Sequence, residues 1–125
     1  MQTEDEILNN LMGYFKKLER CIQNEAAFSF GNKKIFDKKR VDDILCCIDA
    51  SMPSEFAKLA NSYGEDKQIR TYKLKRELIA NIKVKPPIGN SSYMVNTSET
   101  LQLIKSLAGS IPKDLGYIRA TYPNL

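Results

Sequence analysis

The chain reads as one pattern written twice, and a duplicated pattern restricts the fold to solutions in which one half packs on the other. Residues 26–37, AAFSFGNKKIFD, set five residues on each side of a Gly-Asn pair, and residues 84–95, VKPPIGNSSYMV, do the same. A second echo follows each: SMPSEFAKLANSY at 51–63 and SIPKDLGYIRATY at 110–122. Ser, Pro and Tyr recur in step, an acid stands two residues after each proline, and Met52/Ile111, Phe56/Leu115 and Leu59/Ile118 keep the apolar rhythm. Only three of twenty positions are identical between 44–63 and 103–122. The repetition therefore lies in the order of elements more than in residue identity.

Residues 4–23 have Leu8, Leu11, Phe15, Leu18 and Ile22 at helical spacing, with a Thr3/Glu6 capping pattern at the start and Lys16, Lys17 and Arg20 toward the far end. The period then changes. Phe28, Phe30, Ile35 and Phe36 flank Gly31-Asn32, and glycine in the first central position suits a type II′ hairpin. Asp37 is placed to cap a helix over about 38–50 with Val41, Ile44, Leu45 and Ile48 on its apolar face. Pro53 opens the next helix, which turns Phe56, Leu59, Ala60 and Tyr63 to one side and stops at Gly64.

The second round predicts a helix over 65–83 with Ile69, Tyr72, Leu78, Ile79 and Ile82 apolar. A hairpin around Gly89-Asn90 follows, whose first strand Pro86 and Pro87 confine to an edge or abolish. Next comes a helix capped by Asn96 with Leu101, Ile104, Leu107 and Ala108 apolar, then one opened by Pro112 with Leu115, Ile118 and Tyr122 inward. The expected fold is α+β and mainly helical, with six helices and two small hairpins. It is a single domain, 1–125, made of two similar half-modules at about 4–63 and 65–122 related by a pseudo-two-fold. The first helix of each copy should pack on the other, antiparallel or crossed. Halves of about 60 residues are marginal alone, so the core should be shared.

The run from Asp5 to Ala80 resembles the N-terminal module of DivIVA-like coiled-coil proteins, a cell-division-associated family of Gram-positive bacteria. The residues that carry the resemblance are the leading helix DEILNNLMGYFKKLE, the aromatic hairpin, the Asp37 cap, ILCCIDASMPSEFAKLA with Ile44, Ile48, Pro53, Glu55 and Ala57, and the helix after it. Such proteins continue into a long coiled coil, whereas this chain starts a second module. The resemblance implies a non-catalytic assembly protein and assigns no site residues.

The chemistry available is narrow. The chain has no histidine, which removes the commonest general base and zinc ligand. Asp37, Asp42, Asp43 and Asp49 do not form a metal cluster, because adjacent helical positions diverge. Cys21, Cys46 and Cys47 are an odd set in no metal spacing and read as reduced thiols, with Cys47 near a buried stripe. Each Gly-Asn pair is a turn and not a phosphate loop. No catalytic, cofactor or metal residues are expected. The acidic N-terminus MQTEDEILNN lacks a signal-peptide core, so the expected location is cytoplasmic.

Charge is the one functional signal. Net charge is −2 over residues 1–31, +5 over 32–85 and +1 over 86–125. The basic excess falls in two clusters, 33–40 and 67–85, from which Lys38, Lys39, Arg40, Arg70, Lys73 and Arg76 are the candidate partner-binding residues. The expected role is a cytoplasmic protein-interaction or scaffold module without catalysis, its protein partner acidic or a second copy of itself. The alternative is a small nucleic-acid-binding regulator using the same clusters. Against that alternative, the helix PSEFAKLANSY, which a helix-turn-helix reading would place in the groove, carries one lysine and one glutamate.

Overall fold

The computed structural model describes residues 3–26, 28–31, 33–86 and 89–125, leaving the side chains of Phe28 and Phe30 outside the description. Among the described residues, five helices and three short strands follow in the order α1 (Glu4–Asn24), β1 (Phe28–Phe30), β2 (Lys33–Asp37), α2 (Lys38–Ser51), α3 (Ser54–Ser62), α4 (Arg70–Ile82), β3 (Ser92–Asn96) and α5 (Thr97–Thr121). The chain is thus α+β and mainly helical.

Three helix starts are capped by the residues that the sequence marks. Thr3 accepts the Glu6 N–H at 3.2 Å, Asp37 the Lys39 N–H at 2.9 Å and Asn96 the Glu99 N–H at 3.2 Å. Gly64 follows α3 at φ +71°, a conformation that a Cβ would strain. Gly31 enters the β1–β2 turn at φ +58°, as a primed hairpin turn requires. Asn32, its partner in the turn, lies outside the described residues.

The sheet has the order β1-β2-β3 and is antiparallel throughout. Phe28 pairs with Ile35, and the β2–β3 register runs from Lys33 opposite Asn96 to Asp37 opposite Ser92. One apolar core holds Leu11, Phe15, Leu18 and Ile22 of α1, Phe36 and Val95 of the sheet, and buried residues of every other helix. Arg119 near the end of α5 reaches Glu4 of α1 and, at 3.1 Å, Glu55 of α3, tying three helix termini together.

Several expectations need correction. Pro112 does not open a sixth helix but sits inside α5. Its missing N–H and ring clash cost about 3 kcal/mol. The unbroken stripe Ile104, Leu107, Ile111, Leu115 and Ile118 is buried on both sides of it, at roughly 1.5–3 kcal/mol for each side chain, so continuity prevails. In the first round the chain does break: Met52 is extended at ψ 138° and Pro53 occupies the N-cap of α3.

The helix expected over 65–83 starts only at Arg70, because Asp66 accepts the Gln68 N–H at 2.9 Å and holds the preceding residues in a turn. Among the described residues before Gly89, only Val84 bridges to Met94, with the Met94 N–H donating to the Val84 carbonyl at 2.9 Å. The rest of that expected strand includes Pro87 and Ile88, outside the described residues. The first helices of the two rounds are not the main packing pair: α1 lies against α2 and α5, and α4 against α5 and β3. Cys47 is exposed like Cys46, and Cys21 alone is buried. Tyr63 also points outward, its ring lying on that of Tyr122 at 4.8 Å.

Candidate interaction surface

The two basic clusters occupy different elements and do not merge into one patch. Lys38, Lys39 and Arg40 form the exposed first turn of α2, which contains no acidic residue. Arg70, Lys73 and Arg76 form an exposed stripe along α4. The end of α4 that approaches the start of α2 is the opposite one: Lys83 meets Asp42 at 3.7 Å. Arg70 lies about 20 Å from there along the helix.

The α4 stripe is locally neutralised. Arg76 pairs with Glu65, Lys73 lies 4.0 Å from Glu77, and on the inner shoulder Lys75 meets Asp49 at 2.6 Å. Arg70 forms no ion pair among the described residues.

The α2 cluster is less balanced and borders a cleft. A cavity of about 670 Å³ lies between the second half of α1 and the start of α2, where Lys17, Arg20, Lys39 and Arg40 face Glu25, Asp37 and Asp43. Arg40 grips both carboxylate oxygens of Glu25 through two of its three guanidinium nitrogens, Nη2 at 2.7 Å and Nε at 2.5 Å. Asp37 is committed to its cap. Lys17, Arg20 and Lys39 have no ion-pair partner among the described residues. Burial, with Glu25 adding to it, pushes the nearby Cys21 thiol up from its ordinary value against the opposing pull of Arg40. The Lys38 N–H donates to the Ser91 carbonyl at 2.9 Å, which anchors this turn to the segment before β3.

Three polar contacts that the sequence does not announce join distant parts of the chain. Asp114 of α5 accepts from the Thr71 N–H at 2.8 Å and from the Thr71 hydroxyl, both groups buried. The Tyr93 hydroxyl donates to Asp42 at 2.8 Å, and burial followed by that bond pushes Tyr93 up to about 12. Asp66 receives the hydroxyls of Tyr117 at 2.8 Å and Tyr122 at 2.7 Å.

The Asp66 clasp makes stability depend on pH at both extremes. The Gln68 N–H, then Tyr122 and Tyr117, hold the Asp66 carboxyl below its ordinary value. A lowered folded-state pKa gives stability that is present above about pH 4 and lost as pH falls through the folded value. The hydrogen bond to Asp66 pushes Tyr122 up to about 12. Its contribution is complete below about pH 10 and is lost as pH rises through the folded value. Asp66→Asn is expected to flatten both slopes in denaturant titrations and to bring tyrosinate formation to lower pH in ultraviolet titration. Unchanged profiles would show that the clasp contributes nothing.

No family model, curated protein or solved structure matches the chain. Among the described residues, no group of three or more His, Cys, Asp or Glu is placed to hold a metal ion, and no helix is long and apolar enough to cross a membrane.

Proposed function

We propose that this chain is a non-catalytic, cytoplasmic protein-interaction module that receives an acidic segment of a partner protein on the cleft at the start of α2. The observation that carries this reading is the first turn of α2. Lys38, Lys39 and Arg40 stand there with no carboxylate among them, at the positive end of the helix dipole. Cations in that position oppose folding by about 0.3–1 kcal/mol each. Asp37 and Glu25 offset part of that cost. A carboxylate-bearing partner would turn the remainder into binding energy, and local rules broken without a folding gain are typical of functional surfaces.

The same reading includes an internal two-fold origin for the fold. In support, β2 and β3 pair symmetrically about Ile35 opposite Met94, and each strand runs directly into a helix cap, Asp37 or Asn96. The resemblance of the first module to assembly proteins agrees with a scaffold role. A nucleic-acid partner is the second reading. It draws on Lys33, Lys34, Lys67, Arg70 and Lys85, which form no ion pair among the described residues, and is weakened by the pairing along α4.

Titrating the protein with a polyglutamate peptide and with mixed-sequence DNA and RNA, over a range of salt, separates the two. The expected result is peptide binding that weakens with salt and is lost in Lys38→Glu/Lys39→Glu, whose melting temperature should stay level or rise as the dipole is relieved. Tighter binding to nucleic acid with a steep salt slope would favour the second reading. Peptide binding indifferent to the double reversal would remove the cleft from consideration.

A further inference from the structure

Helix α1 carries a charge gradient on a face that the fold leaves open. Glu4, Asp5 and Glu6 occupy its first turn, and Lys16, Lys17 and Arg20 its second half. Asp5, Asn9, Met12, Gly13, Lys16 and Arg20 form one stripe opposite the buried Leu11, Phe15, Leu18 and Ile22, and all six are exposed. Asp5 and Arg20 form no ion pair among the described residues. At the centre of the stripe, Met12 is 43% exposed, one of few large apolar side chains so open among the described residues. A Cβ added to its neighbour Gly13 would meet no atom within 4 Å, so nothing inside the fold requires a helix-weakening glycine there.

We infer that this face of α1 pairs with the same face of a second copy of the chain, antiparallel, about a two-fold axis passing between Met12 and Gly13. Asp5 and Arg20 lie at equal distances from that axis, about 11 Å along the helix on either side. Each Asp5 therefore meets the partner's Arg20, each Asn9 the partner's Lys16, and each Met12 seats over the partner's Gly13, where the missing side chain leaves room. A parallel pair would place like charges together and is disfavoured. A single helix pair with a polar rim buries less than the roughly 1,200 Å² of stable complexes, so the dimer is weak and sensitive to salt. This surface is separate from the α2 cleft apart from Arg20, which borders both.

Sedimentation equilibrium of the whole chain, from micromolar to millimolar at low and high salt, tests the pairing. A concentration-dependent dimer that weakens with salt is expected. Asp5→Lys and Gly13→Leu should each raise its dissociation constant by about tenfold or more, while Asp5→Lys/Arg20→Glu, which exchanges the charges, should recover it. Thermal melts under monomeric conditions establish that each variant is folded. Polyglutamate binding should survive Asp5→Lys and Gly13→Leu, so the dimer and the cleft fail independently. A monomer at every concentration in low salt, a dimer indifferent to Asp5→Lys and Gly13→Leu, or no recovery in the charge exchange would each overturn the inference.

Discussion

Truncating Phe56 to Ala is expected to lower the unfolding free energy by about 3–5 kcal/mol. Phe56 is 4% exposed, and its ring meets Tyr72 of α4 edge-on with centroids 6.0 Å apart. The variant loses the transfer energy of a large side chain, leaves a cavity where α3 seats on α4, and forfeits the aromatic pair, whose own worth is about 0.5–1.5 kcal/mol. Leu115 of α5, 1% exposed, should lose about 2–5 kcal/mol on the same substitution. Lys58→Ala, on the outer side of α3, is the control and should stay within about 0.5 kcal/mol. Urea denaturation with an unchanged m-value is the measurement. A loss under about 1 kcal/mol in Phe56→Ala would mean that the site collapses or that α3 turns another face inward.

Asp114→Ala should be nearly as severe, at about 3 kcal/mol. Helix α4 begins without a side-chain cap of its own, because Ile69 stands at the N-cap. Asp114, 6% exposed on α5, supplies the acceptor from across the helix pair. Removing it leaves the Thr71 N–H and hydroxyl buried without a partner, and hydrogen bonds to charged groups contribute about 1.5–3 kcal/mol each. Asp114→Asn keeps an acceptor and should cost only about half as much. Thr71→Val, which removes one of the two donors while preserving shape, should fall in between. Equal losses for Asp114→Ala and Asp114→Asn would show that charge, and not capping, is what matters. Amide exchange at Thr71 provides a local check, since its protection should collapse in Asp114→Ala first.

Local code was sufficient wherever the deciding residues are neighbours in sequence. Thr3, Asp37 and Asn96 mark their helix starts, Gly31 and Gly64 mark a turn and a stop, and the spacing of Leu11, Phe15, Leu18 and Ile22 selects the buried side of α1. These features act over one turn or one hairpin, so their deciding residues lie within a short stretch of sequence. The basic character of Lys38, Lys39 and Arg40, and of Arg70, Lys73 and Arg76, was equally legible.

Only the tertiary structure decided the rest. Pro112 and Pro53 look alike in sequence, yet the buried stripe of α5 carries the helix through one while the chain breaks at the other. Helix α4 starts late because Asp66 is claimed by its own turn and by two tyrosines more than fifty residues away. Its cap comes from Asp114, 43 residues downstream. The neutralising partners of Lys75 and Lys83 sit on α2, so the apparent basic run of α4 is partly balanced in space. Burial and charge pairing depend on which faces meet, and that choice minimises exposed apolar area over the whole chain at once, beyond the reach of any single segment's periodicity.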